Sequence, residues 1–429
     1  MRVRTGRIGD RTSDRRVTLN LRQMATEAFA WRRAFIRPGP VVFASLFALD
    51  SMARASLSTV IPLLAYAVLG SERNVSLLFF AVGWVGVIAT LFIPVLVRRF
   101  RPRWVYTMAV ALLIVAPALF ALSNLAGLVA GMFLRTYGAA CLLNLLNLYI
   151  MAYIRKRDLS RSEPLRALFA ALAWTIGPML GPYLFENFSP NLAFGLSALC
   201  AALHLLYFWW LRLEYGPALA PDEPVDTNPF PHIRRFLAQP RLVLAWILNF
   251  GRETWWVAFF VYTPIKMQEM LGAGVTVGGV VLPGGFIGGL VVSCATALLF
   301  ASPLAGWIAR RIGLRRHITA CFVFGALATT AAIFATGSPG WLAATLLTAA
   351  VGAVGLDAVC MVPFLRAVRT RERPEMTMVF SLYRDSAGLA PMALFSLLLT
   401  FFDLSAVYAA VAIGWFICAW LARWIPRGM

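Results

Sequence analysis

Apolar stretches of about 20 residues recur along this chain from residue 41 to residue 425. As α-helices they would each cross a hydrocarbon core of roughly 30 Å, because a helix rises about 1.5 Å per residue. The stretches are continuously apolar, unlike the alternating strands of a membrane β-barrel. Hydrophobic residues make up 60% of the sequence and charged residues only 14%, roughly half of the charged share in an ordinary soluble protein. The sequence therefore predicts an all-α integral membrane protein.

Twelve transmembrane helices are predicted. Their approximate ranges are 41–69, 75–97, 104–122, 126–154, 165–187, 191–211, 242–271, 276–309, 318–336, 340–364, 376–402 and 404–425. The eighth span is long and contains Pro283 beside several glycines. Since a proline removes a backbone donor and clashes with the preceding turn, a kink is predicted at this position.

Polar segments divide the chain into four predicted regions. Residues 1–38 form a basic cytoplasmic tail, and residues 39–212 hold the first six spans. Residues 213–240 contain repeated prolines, which disfavour helix, and are predicted to form a cytoplasmic linker in a loop conformation. Residues 241–429 hold the last six spans.

Two arginine pairs close apolar spans at corresponding places in the chain. Arg98 and Arg99 end the second span, and Arg310 and Arg311 end the eighth span 212 residues later. This separation is close to half of the 429 residues. Internal repetition of this kind indicates copies of one structural unit. We therefore predict two pseudo-symmetric six-helix bundles.

The formal net charge of +20 comes from arginines in the N-terminal tail and in alternate loops. Basic loops are retained on the cytoplasmic side during insertion. Both termini are therefore predicted to be cytoplasmic, in a multi-pass protein of a bacterial-type inner membrane. The same explanation removes nucleic acid as the partner that this charge would suggest in a soluble protein. The expected surrounding is the lipid bilayer.

Patterns for catalysis, metal binding or a cofactor are not found in the sequence. The six cysteines lie inside apolar spans without Cys-x-x-Cys spacing, and only three histidines occur. A Gly-x-x-x-x-Gly-Lys-Ser/Thr loop is absent from the sequence, which argues against drive by ATP. We therefore predict no enzyme, metal or cofactor. A membrane-embedded acyl or lipid transferase is the enzymatic alternative, and a receptor or scaffold without transport is another.

Ionisable residues inside the predicted spans are the candidates for function. Each costs about 2.5 to 3.5 kcal/mol to leave in hydrocarbon, so such residues normally face a bundle interior or a water-filled cavity. The candidates are Asp50, Arg54, Arg135, Arg252, Glu253, Asp357, Arg384 and Asp385. Most lie in the first and fourth span of each repeat. We therefore predict that they surround one central site for solute and protons near the middle of the membrane.

Roles within this set stay open at the sequence level. Asp50 and Arg54 share a helix face at i,i+4 and form either a static ion pair or part of the solute or proton site. Glu253 is the preferred titrating carboxylate, because it points away from Arg252 on the helix and is expected to lack a fixed partner. The other titrating candidates are Asp357 and Asp385.

Two uncharged side chains join the predicted site. Asn144 lies on the fourth span and Trp256 on the seventh. A ligand cavity usually combines apolar walls with a few polar groups, which both residues could supply. Hydrogen bonding between helices is an equally common use of a membrane asparagine, so the role of Asn144 has two interpretations.

The loop after the eighth span resembles a motif of the major facilitator superfamily of secondary transporters. In that family the loop reads Gly-x-x-x-Asp-Arg-x-Gly-Arg-Arg, and Gly306, Arg311, Gly313 and Arg315 match it. Arg310 stands where the family has its acid. The loop after the second span is a more distant copy, in which Pro94 replaces the glycine and Arg98 replaces the acid.

Two further features resemble the same family. Gly177, Pro178 and Gly181 on the fifth span are similar to the Gly-Pro-x-x-Gly motif of its antiporters. Arg135 resembles the arginine that the family carries on its fourth helix. Closely spaced glycine and proline suit a bendable, tightly packed helix.

The resemblance extends over residues 40–426 and implies a function. It implies a secondary transporter, expected to be a monomer, that moves a small organic molecule by alternating access and is driven by protons. The motif on the fifth span favours efflux by antiport. Symport or uniport of a metabolite is the alternative, and the identity of the solute stays open.

Overall fold

The computed structural model describes residues 39–154, 159–213, 229–272, 274–277, 279–335, 337–369 and 372–426. The predicted tail, residues 1–38, and residues 214–228 of the predicted linker lie outside these ranges. The described chain is helical apart from its connecting segments and one short β-hairpin.

Seven helices form the first part of the fold, here called the N-terminal half. They are α1 (Pro40–Ala55), α2 (Val60–Leu69), α3 (Glu72–Arg99), α4 (Pro102–Phe120), α5 (Leu125–Tyr153), α6 (Leu159–Asn187) and α7 (Pro190–Trp210). Pro40, Pro102 and Pro190 lie in the first turn of their helices, where the missing backbone N–H has no helical partner to lose. The side chain of Asn124 caps α5 by accepting the N–H of Gly127 at 2.7 Å.

The C-terminal half contains the remaining elements. They are α8 (Pro229–Leu237), α9 (Pro240–Leu271), β1 (Val275–Val277), β2 (Val280–Leu282), α10 (Gly284–Ala297), a 3-10 turn (Leu298–Ala301), α11 (Ser302–Ile312), α12 (Leu314–Phe334), α13 (Pro339–Asp357), α14 (Val362–Ala367), α15 (Arg373–Leu398) and α16 (Ser405–Ala422).

Nine helical segments in the described part of the chain are long and apolar enough to cross a membrane. Three of them include a short break: Pro40–Leu69, Gly284–Ile312 and Pro339–Ala367. Together with the helical content, these segments confirm the predicted all-α class of membrane protein.

The predicted start of the eighth span is wrong. Residues 275–282 form an antiparallel hairpin in which Val275 lies opposite Leu282. Gly279 in its turn has a φ of +84°, a backbone conformation that favours glycine. Pro283 directly precedes α10 and has an extended backbone. The expected proline kink is therefore replaced by a helix start, because the proline ends the hairpin before the helix begins.

Two other predicted spans are broken helices. The first span is interrupted at residues 56–59 between α1 and α2, and the tenth at residues 358–361 between α13 and α14. A break releases backbone carbonyls that a continuous helix would satisfy, so other groups must pair with them. Both breaks lie beside residues of the predicted site.

Part of the predicted linker is helical. The prolines of residues 213–240 favoured a loop, but Pro229 and Pro231 lie in the first turn of α8, where proline does not disrupt a helix. Arg234 and Arg235 lie in its last turn, where positive charge interacts favourably with the helix dipole. The prediction of a loop is therefore wrong for residues 229–237.

Helix starts recur at the spacing of the arginine pairs. Helix α4 begins at Pro102 and α12 at Leu314, 212 residues later. Helix α3 begins at Glu72 and α10 at Gly284, again 212 residues later. The spacing first noticed in two short basic loops therefore also relates whole helices.

Two antiparallel helix pairs join the halves, α3 with α15 and α6 with α10. On α3, a Cβ at Gly83 would lie 3.1 Å from the Cα of Leu389, so the backbones approach closely. On α10, Gly289 faces the backbone carbonyl of Pro178 in α6, where an added Cβ would clash. Glycine at these two positions therefore sets the distance between the halves.

The apolar core is shared by the halves at one end of the molecule only. We call this the hairpin end, because β1 and β2 lie there; the opposite end, near Arg101 and Gly313, is the arginine end. Toward the hairpin end, Leu64 and Ile265 belong to one core that includes residues of both halves. Toward the arginine end, the cores around Tyr149 and around Phe380 are separate.

Candidate functional site

Asp50 and Arg54 form an ion pair in the last turns of α1. The Nη2 atom of Arg54 lies 2.5 Å from Oδ2 of Asp50, and Nε lies 3.0 Å from the same oxygen. The Asp50 side chain is 3% exposed and that of Arg54 is 19% exposed. Their i,i+4 spacing brings the two charges together on one helix face. The pair lowers the cost of holding either charge inside the fold.

Arg135 reaches from α5 to the helix break that follows α1. Its Nη2 atom donates a hydrogen bond to the backbone carbonyl of Arg54 at 2.8 Å. In a continuous helix that carbonyl would accept the N–H of Ser58, but this N–H instead bonds to the carbonyl of Ala55. Arg135 therefore stabilises the break by satisfying a carbonyl that the helix has released.

Arg252 on α9 is held by two carboxylates. Its Nη1 atom bonds to Oδ1 of Asp357, at the end of α13, and its Nη2 atom lies 2.7 Å from Oε2 of Glu253. The hydroxyl of Tyr383 on α15 lies 3.4 Å from Nη2. Trp256 donates its indole N–H to the other oxygen of Asp357 at 2.9 Å. This cluster therefore links α9, α13 and α15.

The expectation that Glu253 lacks a fixed partner is wrong. Neighbouring side chains diverge by about 100° around a helix at Cβ, but the guanidinium of Arg252 is long enough to reach back to its neighbour. The Glu253 side chain remains 21% exposed and that of Asp357 18% exposed. Both carboxylates are thus bonded on one side and accessible on another.

The break in the tenth predicted span is also capped by a residue of the seventh. Asn249 on α9 donates to the backbone carbonyl of Cys360 at 2.8 Å and to the carbonyl of Ala245 at 2.8 Å. Cys360 lies in the break between α13 and α14. Asp357 therefore stands at a helix end, in a position that is fixed by α9 through both Arg252 and Asn249.

Arg384 and Asp385 point to different surroundings on α15. Arg384 is exposed, and its guanidinium carbon lies 5.9 Å from the ring centre of Tyr383. Asp385 is half-buried, and its Oδ1 atom lies 3.8 Å from the point where a Cβ on Gly86 would stand. Asp385 thus faces α3 of the N-terminal half.

Gly86 on α3 marks the depth at which the polar residues of both halves meet. The methyl group of Thr136 lies 3.4 Å from the same Cβ position that Asp385 approaches. Arg135 directly precedes Thr136 in the chain. The charged segments of α5 and α15 are therefore brought to one level by a residue that has no side chain.

Asn144 bonds within its own helix, and a neighbouring residue makes the contact between helices. The Nδ2 atom of Asn144 donates to the carbonyl of Ala140 at 2.8 Å. Asn147, one turn further along α5, accepts a hydrogen bond from Nη1 of Arg166 at 2.7 Å. The guanidinium of Arg166 also lies 5.0 Å from the ring centre of Phe47 on α1.

Sequence reasoning missed Arg166 as a site residue. It was assigned to a basic loop, whereas it lies in α6 and contacts two other helices. The available signal was its position, since residue 166 falls just inside the predicted fifth span. Tyr383 was missed as well, because its contact with Arg252 depends on how α9 and α15 pack.

The paired arginines of the predicted gating motif lie at helix ends. Arg98 lies in the last turn of α3, and Arg99 ends that helix and is exposed. Arg310 and Arg311 lie in the last turn of α11 and are exposed. Neither of these two forms an ion pair with another residue that the structure describes.

The glycines of this motif have separate geometric roles. Gly313 has a φ of +90° and makes the sharp turn from α11 to α12, a conformation that favours glycine. A Cβ on Gly306 would stand 3.8 Å from Nη1 of Arg310, in ordinary contact. The guanidinium of Arg311 lies 5.1 Å from the ring centre of Trp307.

The Gly-Pro motif on α6 packs against the break between α1 and α2. A Cβ on Gly181 would clash with the backbone carbonyl of Ser56, and one on Gly177 would press on the backbone beside it. The carbonyl of Pro178 accepts a hydrogen bond from Oγ1 of Thr59 at 2.8 Å. The motif therefore positions the helix break.

Metal ligation has no visible basis in this part of the chain. Among the described residues, no group of three or more His, Cys, Asp or Glu side chains could hold a metal ion.

A family model decides the relationship of this chain to known proteins. The model named Major Facilitator Superfamily matches residues 43–299, which is more than half of the chain. The chain belongs to the major facilitator superfamily. The family resemblance predicted from the motifs is thereby confirmed. Members of this superfamily are membrane transporters, and a search of curated proteins gave no match.

Solved transporter structures share this superfamily fold with the chain. One is a POT family transporter in complex with a thioalcohol conjugated peptide, with 14% identity and a TM-score of 0.67 over 88% of this chain and 94% of that one. Another is the nucleoside transporter NupG, with 11% identity and a TM-score of 0.67 over 90% and 99%. A third is an auto-inhibited POT family peptide transporter, with 12% identity and a TM-score of 0.68 over 89% and 96%. At these identities the similarity establishes the fold.

Proposed function

We propose that this protein is a secondary active transporter that moves a small organic solute by alternating access. The observation that supports this best is the convergence of charged residues from both halves near Gly86. Arg135 lies on one side of this level, and Asp385 lies on the other. Ionisable residues at membrane depth mark solute and ion pathways, and transporters of this fold bind solute where their two halves meet.

The proposal includes twelve spans in two pseudo-symmetric bundles, within one chain that acts as a monomer. Nine segments meet the criterion of length and apolar composition. The other three are α3, α9 and α15, with 28, 32 and 26 residues. Each is longer than the roughly 20 residues that a span requires. Helices α9 and α15 carry charged residues of the candidate site, which lowers their hydropathy.

We place the arginine end of the molecule in the cytoplasm of a bacterial-type inner membrane. Arg99, Arg101, Arg310 and Arg311 all lie at this end and are exposed. Basic loops are retained on the cytoplasmic side. An even number of spans then puts both termini, and the linker between the halves, on the same side.

In this orientation the described conformation is closed toward the outside and open toward the cytoplasm. The halves share one apolar core at the hairpin end and have separate cores at the arginine end. At the hairpin end the buried hydroxyls of Ser76 and Tyr262 form a hydrogen bond of 2.6 Å between the halves. Opening on the outside requires this contact to break.

Coupling to protons is the second part of the proposal. Asp357, Glu253 and Asp385 are the carboxylates at the depth of the site, and each is at least partly exposed. Efflux by antiport is the direction that the Gly-Pro motif on α6 favours. Symport is the second candidate, because the fold is shared with a structure of a POT family transporter in complex with 5-aminolevulinic acid.

Flux measurements in proteoliposomes test the proposal. The purified full chain is reconstituted with a pH gradient of either sign, and the movement of dialanine, 5-aminolevulinic acid, uridine and ethidium is followed. We expect at least one compound to move faster than in protein-free liposomes and to change the internal pH. Equal rates with and without protein for all four compounds contradict transport of small organic solutes.

Single carboxylate variants test the coupling. Asp357→Asn, Glu253→Gln and Asp385→Asn are compared with Glu269→Gln, a matched control whose carboxylate is 42% exposed and pairs with Lys266. We expect the pH dependence of flux to be lost in at least one of the three variants and kept in the control. Retention of the full pH dependence in all three contradicts coupling through these residues.

A further inference from the structure

Arg135 is a guanidinium that lacks a carboxylate partner among the described residues. Its one hydrogen bond goes to the backbone carbonyl of Arg54, at 2.8 Å. That bond uses one of the several N–H donors that a guanidinium presents in a planar fork. Arg135 is half-buried, so its remaining donors are not sealed within the protein. They are available to a ligand.

The neighbouring buried arginines differ from Arg135 in this respect. Arg54 is paired with Asp50, and Arg252 is paired with both Asp357 and Glu253. The cluster of Asp50, Arg54 and Arg135 therefore carries one positive charge in excess. Each partner in this cluster comes from α1 or α5, both in the N-terminal half.

An unpaired charge at this depth has a physical consequence. A cation in hydrocarbon surroundings costs about 2.5 to 3.5 kcal/mol even on the lower scales, and pairing with an anion offsets that cost. The planar fork of an arginine matches the oxygens of a carboxylate or a phosphate. A lone arginine at the level of the site therefore selects for an acidic group.

The position of Arg135 connects it to the region between the halves. Its neighbour Thr136 approaches Gly86 within ordinary contact distance, at the point that Asp385 approaches from the other half. Arg135 also holds the carbonyl at the break between α1 and α2. A ligand on Arg135 would therefore contact both the level where the halves meet and the break in α1.

We propose that the transported solute carries an acidic group, a carboxylate or a phosphate, and that this group binds Arg135. This inference rests on the proposed transport function and names the chemical class of its solute. Arg54 stays paired with Asp50 in the complex, and Arg135 supplies the charge that the solute neutralises.

Matched pairs of compounds test this inference. Uridine 5′-monophosphate is compared with uridine, and N-acetyl-dialanine with its C-terminal amide, each as labelled compound in proteoliposomes of the full chain. We expect one acidic member to move about tenfold or more faster than its neutral partner, the ratio that one charge-assisted hydrogen bond supports. The pair that responds distinguishes a phosphate from a carboxylate.

Variants then locate the effect. Arg135→Gln is expected to remove this preference, and Arg135→Lys to retain part of it, because the charge remains while the planar fork is lost. Arg423→Gln, at an exposed position after α16, removes the same charge elsewhere and should leave the preference unchanged. Equal rates for acid and neutral partner in the unmodified protein, or an unchanged preference in Arg135→Gln, overturn the inference while transport itself stands. Failure of all four compounds to move overturns the proposed function as well.

Discussion

Glu186 of the N-terminal half caps a helix of the C-terminal half. Its Oε2 atom accepts the backbone N–H of Phe286, in the first turn of α10, at 2.6 Å. The next donor, the N–H of Gly285, is taken by Oε1 of Gln268 at 2.6 Å. A carboxylate is favoured at this place because the first N–H groups of a helix are unpaired and carry partial positive charge. The contact exists only while the hairpin end is closed.

Removing this cap is predicted to favour opening of the hairpin end. Glu186→Ala leaves the N–H of Phe286 without its partner and weakens the closed state by about 1 to 2 kcal/mol. Leu63, which lies beside Gly285 and is 5% exposed, serves as a reporter when changed to cysteine. Its labelling by a maleimide, followed by mass spectrometry of the labelled peptide, should become several times faster in Glu186→Ala.

The matched control for this prediction is Glu186→Gln, which keeps an oxygen acceptor and loses the charge. We expect its labelling rate to lie between those of the parent and of Glu186→Ala. Identical rates in all three proteins would argue that the cap does not hold the hairpin end closed.

Loss of Asp357 is predicted to destabilise the protein more than loss of Glu253. Asp357→Ala takes away one carboxylate of Arg252 and the acceptor of the Trp256 indole at once. Removing one partner of a buried ion pair costs about 3 to 5 kcal/mol, and partial exposure of Asp357 reduces this to about 2 to 4 kcal/mol. Thermal unfolding in detergent should show a clear decrease in Tm.

Glu253→Ala removes a single contact of Arg252 from a more exposed position. Its decrease in Tm should therefore be the smaller of the two. A larger decrease for Glu253→Ala than for Asp357→Ala would contradict the arrangement of the Arg252 cluster.

A side chain at Gly181 is predicted to disrupt the packing of α6 against the break after α1. Gly181→Ala places a Cβ against the backbone carbonyl of Ser56, which cannot move without displacing the break. We expect a strong loss of folded protein, measured as the monodisperse fraction in size-exclusion chromatography. Gly195→Ala on α7 is the control, because nothing lies within 4 Å of its added Cβ.

In the control, alanine raises helix propensity by about 0.5 to 1 kcal/mol, so Gly195→Ala should be neutral or slightly stabilising. Normal folding of Gly181→Ala would show that the Gly-Pro motif does not pack as described.

The class of fold could be predicted from the sequence because hydropathy and length act locally. A run of apolar residues such as 104–122 crosses a membrane whatever its neighbours are, and α4 is found at Pro102–Phe120. The duplication could be predicted as well, since the arginine pairs and the helix starts share one spacing.

The helix breaks could not be predicted, because they depend on contacts between distant residues. The break at residues 56–59 is stabilised by Arg135 on α5, and the break at residues 358–361 by Asn249 on α9. Neither region contains a proline that would mark it in the sequence. Hydropathy registers the two helices on either side of each break as one apolar run.

The candidate residues could be predicted, whereas their pairing could not. Charge inside an apolar span selected Asp357 and Arg252 individually. Their contact depends on the packing of α13 against α9. Glu186 was passed over because it stands at the end of a predicted span, where a carboxylate is unremarkable until α10 is found against it.

The central claim is that the two halves rock about a shared site, and distances at the two ends test it most directly. Spin labels on Phe188 and Phe402, both exposed, report the hairpin end, and labels on Arg101 and Arg316 report the arginine end. With a transported solute added, pulsed electron–electron resonance should reveal a population with a longer Phe188–Phe402 distance and a shorter Arg101–Arg316 distance. Distances that stay fixed at both ends, or lengthen together, would contradict alternating access.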